Sequence, residues 1–128
     1  MSIAPVFTLL AAASAVTAIV GTNPVRVYPA GNIPQSTTTD PNSNLPCVTW
    51  QTIAGATENM LSDRPVVDNQ RIQVDCWALT FGAANALADA VQAALELNGY
   101  CVAINGHDFD IDTKRYRVSF DWSFWIQH

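Results

Sequence analysis

Residues 71–99 read RIQVDCWALTFGAANALADAVQAALELNG, and within them the apolar period changes from two to about 3.6. Over Arg71–Ala78 the alternation is strict. Ile72, Val74, Cys76 and Ala78 fall on one face, and Arg71, Gln73, Asp75 and Trp77 on the other. From Phe81 to Asn98 the spacing is helical. Ala84, Leu87, Ala88, Val91, Ala94 and Leu95 form a stripe, with Asn85, Asp89, Gln92 and Glu96 opposite it. Asn98-Gly99 ends the helix. A half-buried strand followed by an amphipathic helix is the unit on which the fold is built.

Downstream lies a hairpin. Tyr100–Ile111 is its first strand, with a kink or bulge at Asn105-Gly106, and Asp112-Thr113-Lys114 is the turn. Arg115–Gln127 alternates throughout. Tyr116, Val118, Phe120, Trp122, Phe124 and Ile126 face one way, and Arg117, Ser119, Asp121, Ser123, Trp125 and Gln127 the other. Upstream, Cys47–Ile53 reads as a strand and Val25–Tyr28 as a short one stopped by Pro29. Residues 30–46 and 55–69 are polar enough to be long loops.

Residues 2–20 predict one helix, with Ser2 as its cap, Pro5 in the first turn and Gly21 as its stop. Its large residues form two groups. Ile3, Val6, Phe7 and Leu10 share one side, and Leu9, Val16 and Val20 another, as if one stripe met the sheet and the other a neighbouring subunit. The element order is α-β-β-β-α-β-β. It predicts an α+β fold in a single domain, residues 1–128: a two-layer sandwich of about four to five mostly antiparallel strands with one wet face and two helices on the other.

Composition narrows the function. Charged residues are 13% of the 128, against about 25% in ordinary domains. A surface so poor in charge suits a chain covered by neighbouring subunits. The net charge of -5 excludes a basic nucleic-acid footprint and a polybasic membrane patch. The apolar N-terminal run has no Lys or Arg before Arg26, unlike a signal peptide, and Ser2, Thr8, Ser14 and Thr17 interrupt it, unlike a membrane span.

Few residues offer chemistry. Cys47, Cys76 and Cys101 are an odd count without a C-x-x-C pair, and His107 and His128 are the only histidines. They supply neither a disulfide framework nor a metal site. Asp108-x-Asp110-x-Asp112 resembles the start of a calcium loop, but Thr113 and Ser119 stand where Gly and Glu belong. The alternative is a polar strand face with Arg115 and Arg117 as cross-strand partners. No nucleophile elbow, phosphate loop or H-E-x-x-H is present, so no enzyme, cofactor or catalytic residue is expected. Trp77 and Trp125 fall on the polar faces of their strands, which points to surface covered by a partner or to tryptophans lying under a loop.

Four stretches taken together resemble a known family: the N-terminal helix leading into Arg26-Val27-Tyr28-Pro29, Leu45–Gln51, Arg71–Ala78 running into the 84–95 stripe, and Arg115–Asp121. They are similar, in order and spacing, to the small tail terminator (tail completion) proteins of long-tailed bacteriophages and related prophages, lambda-like phages among them. The 30–46 loop is longer than that resemblance leads one to expect. The resemblance implies a structural virion protein, assembled in the host cytoplasm and sited at the head-proximal end of the tail. It implies a homo-oligomeric ring, commonly a hexamer, that caps the tail tube, ends its polymerisation and offers a surface for head joining. Its partners would be the tail tube protein and a connector or stopper protein. DNA would pass through without specific binding, a passage that an acidic chain favours by repulsion. On that reading Asp63, Arg64 and Arg71 are candidate polar contacts beside Trp77 and Trp125. The alternatives are a head–tail connector or tube-like subunit, and, from other classes, a small ligand-binding or toxin-like domain or a membrane-anchored protein.

Overall fold

The alternation around Ile72–Ala78 places that strand inside the sheet. A computed structural model describes residues 6–21, 25–29, 45–58, 67–111 and 114–127, with the backbone alone at 54–58, 67–69 and 125–127. β3 (Val67–Ala78) lies between β2 (Cys47–Glu58) and β5 (Arg115–Gln127), antiparallel to both. β4 (Gly99–Asp110) pairs antiparallel with β5 and forms one edge. β1 (Val27–Pro29) pairs parallel with β2 and forms the other, so the five-stranded sheet is mixed, in the order β1-β2-β3-β5-β4.

Three helices line this sheet where two were expected. The single helix predicted over 2–20 is broken into α1 (Val6–Ala12) and α2 (Ser14–Val20) at Ala13, whose φ and ψ are -87° and 113°. The reason is phase. Val6 and Leu10 are four residues apart, as are Val16 and Val20, but Leu10 and Val16 are six apart. On an unbroken helix that step leaves the two pairs about 120° out of register. The break restores the register, and all four side chains are fully buried in one core. Val6 and Leu10 of one stripe and Val16 and Val20 of the other, one of which was expected to meet a neighbour, therefore pack together inside their own chain. Arg26 ties the end of α2 to the start of β2, donating from Nε to the Pro46 carbonyl at 2.9 Å and from Nη2 to the Ile19 carbonyl at 3.3 Å.

α3 (Phe81–Leu95) ends three residues before the predicted Asn98, and Thr80 caps it by accepting from the Ala83 N–H at 3.1 Å. Every residue of its predicted stripe is buried, against the core face carried by Ile72, Val74, Cys76, Val118, Phe120, Trp122 and Phe124.

The connection expected at 55–69 is shorter than its polarity implied. Residues 55–58 and 67–69 are in paired strands, Gly55 opposite Gln70 and Glu58 opposite Val67. Strand pairing along the backbone, and not an apolar pattern in the sequence, marks these residues as strand. Residues 30–44 and 59–66, and with them Asp63 and Arg64, lie outside the described residues. Register shifts in β4 fall between Cys101 and Ala103 and between Ile104 and Gly106, the second at the predicted bulge. Gly106 has a φ of 103°, a conformation that favours glycine.

Candidate assembly surface

The sheet face turned away from the helices holds Arg71 and Trp77, two of the residues that sequence alone singled out. It was expected to be wet, yet its centre is buried: Thr49, Asp75, Ser119 and Ser123 are nearly inaccessible. Longer neighbours overlie the small ones. Gln73 donates from Nε2 to Asp75 Oδ1 at 3.3 Å and to Ser119 Oγ at 3.4 Å, and Asn105 donates from Nδ2 to Asp121 Oδ1 at 2.9 Å.

Trp77 is half-buried on this face. Its indole N–H donates to Thr49 Oγ1 at 3.0 Å, and the Arg117 guanidinium lies 5.6 Å from its ring centroid. Arg117 also pairs with Asp108, and Asp110 stands opposite Arg115. The Asp108–Asp110 run is thus a cross-strand charged face, one of the two readings of that sequence. Trp77, Asp108, Phe109, Asp110 and Arg117 line a cleft of about 260 Å³. Arg71 is exposed on the same face, opposite Ser123. Trp125 lies opposite Asn69 on β5, and its side chain is outside the described residues.

The thiols are held protonated. Burial pushes Cys47 up to about 12, against the pull of Arg115 and Arg26, and pushes Cys76 well above its ordinary value, with Asp75 adding to the rise. Cys101 is also raised, chiefly by burial. None is activated as a nucleophile at neutral pH. Among the described residues no cluster of His, Cys, Asp and Glu has the makings of a metal site, and no helix is long and apolar enough to cross a membrane.

One feature escaped the sequence reading. Phe81, His107, Phe109 and Tyr116 form a chain of ring contacts beside the start of α3, with centroids 4.9 Å apart for Phe81–His107 and 4.7 Å for Phe109–Tyr116. His107 Nε2 is 2.7 Å from Asn85 Oδ1, which ties β4 to α3. The available signal was Phe109 standing between Asp108 and Asp110, and Phe81 lying before the 84–95 stripe.

A family model described as tail completion protein gp17 matches residues 4–127. The chain belongs to the tail completion protein gp17 family. A solved chain described as "Virion of native gene transfer agent (GTA) particle" is similar to this tail completion protein in fold, with a TM-score of 0.64 at 14% identity, covering 96% of this chain and 92% of that one. No curated protein sequence matches. This family member is a structural protein of a virion tail, and its resemblance to the tail completion proteins, read first from strand and helix order, is shown by the match over nearly its whole length.

Proposed function

We propose that this tail completion protein forms a ring on the head-proximal end of the tail tube, ends tube polymerisation and presents the surface to which the head is joined. The observation that carries the reading is the family match over residues 4–127. The low charge fits a subunit covered by its neighbours, and the net charge of -5 fits a channel that does not retain DNA. The reading makes the chain non-enzymatic, and the protonated thiols agree with that role. Trp77 and Arg71, with Trp125, Asp63 and Arg64, are the proposed contacts to neighbouring subunits or to the tube.

The test is tube growth. Purified tube protein of the same phage is polymerised with and without this chain, and lengths are measured by electron microscopy. Tubes capped at one end and arrested in length are expected. Unchanged tubes, with the chain bound to a connector ring instead, would move the assignment to the head–tail connector.

A further inference from the structure

The two edges of the sheet are unlike. β1 is three residues long and ends at Pro29. β4 is twelve residues long; its two register shifts and Asp108 and Asp110 discourage strand addition, so its exposed flank, and not its backbone edge, is the surface on offer. α3 lies chiefly over β3 and β5 and reaches β4 through Asn85 and Phe81 on His107, so among the described residues nothing covers Ile104 on the outer flank of β4. Ile104 is 71% exposed, and Val102, Phe109 and Phe81 are exposed near it. Ile111, just past the strand, is 78% exposed. A flank bearing several large exposed apolar side chains is a surface that meets a partner.

The partner's matching surface is on the same chain. α1 packs beside β1, at the far side of the sheet from β4. α1 and α2 carry no charged residue, and their outer surface exposes Phe7 (47%), Thr8, Ala12, Ala15 and Ala18. Small side chains around one Phe leave room for the bulky β4 flank; the helix face brings no charge, and Asp108 and Asp110 fall on the opposite face of the sheet from Ile104 and Phe109. The two surfaces differ and lie at opposite edges, so their contact is head to tail. Such a contact closes into a ring when its rotation allows, and does not stop at a dimer.

We infer that the β4 flank, centred on Ile104 with Val102, Phe109 and Phe81, receives the uncharged α1–α2 face of a second copy of this chain. The inference rests on the ring reading and names the surfaces that would build the ring. The test uses the full chain as wild type, Ile104→Asp and Ala15→Arg, all at exposed positions, with folding checked by circular dichroism. Mass is followed by light scattering over a concentration series. The wild type is expected to reach ring-sized mass, and each variant alone is expected to stay at one chain.

Mixing the variants is the discriminating step. Ile104→Asp keeps a good helix face and Ala15→Arg keeps a good strand flank, so a one-to-one mixture is expected to reach twice the chain mass and no further. A ring-sized Ile104→Asp would overturn the surface and leave the ring reading standing. A dimeric Ala15→Arg would overturn head-to-tail contact in favour of β4 meeting β4. A wild type that stays monomeric at every concentration would overturn both. A readout without variants is hydrogen exchange, where the β4 amides are expected to gain protection as wild-type concentration rises.

Discussion

Trp77 and Thr49 meet on the sheet face opposite the helices, where an indole N–H finds a nearly inaccessible hydroxyl. A bond of this kind contributes about 0.5–1.5 kcal/mol net, and removing one partner leaves the other unsatisfied. In a double-mutant cycle of Trp77→Phe and Thr49→Val, the coupling measured by urea unfolding is expected to fall in that range. A coupling near zero would make Trp77 a packing residue alone. Cys47, on the same face, gives a pH dependence. Its folded pKa of about 12 lies above the unfolded value of about 8.5. Its contribution is therefore complete below about pH 8.5 and lost as pH rises towards 12, at no more than about 1.4 kcal/mol per pH unit. Cys76 shifts in the same direction. The urea midpoint is expected to fall between about pH 9 and 11, and to fall less steeply in Cys47→Ala. Equal slopes in the two proteins would exclude this thiol as a source.

At the scale of elements, the break at Ala13 makes α1 and α2 two faces of one core. Leu10→Ala is expected to cost about 2–5 kcal/mol, and Val16→Ala about 2 kcal/mol. Thermal unfolding of the dissociated chain checks both. A Val16→Ala variant without loss at the monomer level would return Val16 to an intersubunit role. Elements were the most legible scale in the sequence. Periodicity located β3, α3 and β5 because each has one apolar face against a single core. It failed at 2–20, where a change of phase inside an all-apolar run looks like two faces and not like a kink. It failed again at 55–58 and 67–69, where pairing depends on neighbouring strands that composition does not reveal. Gly99 shows the same limit. A Cβ there would meet the Phe124 ring at 2.8 Å, a closeness that no local pattern announces.

At the scale of the molecule, the family resemblance was legible in the order of elements and not in any site motif. The aromatic cluster and the bare β4 flank were hidden. Exposure depends on where α3 ends its cover, and α3 is placed by β3 and β5. If assembly buries this flank, folding is linked to association, and the melting temperature of the wild type is expected to rise with protein concentration. Ile104→Asp is expected to melt at one temperature throughout, as followed by circular dichroism across a hundredfold dilution. A concentration-independent wild type would separate the flank from assembly.

The position of β5 between β3 and β4 has a consequence for synthesis. β4 leaves the ribosome before β5, and among the described residues β5 is its only strand partner. Until β5 emerges, the β4 segment is an unpaired apolar stretch with no sheet to join. On the proposed contact, the nascent chain cannot present this flank early. Neighbouring polysomal copies would then not join through it half-made, and timing would follow from the order in which the strands are read out.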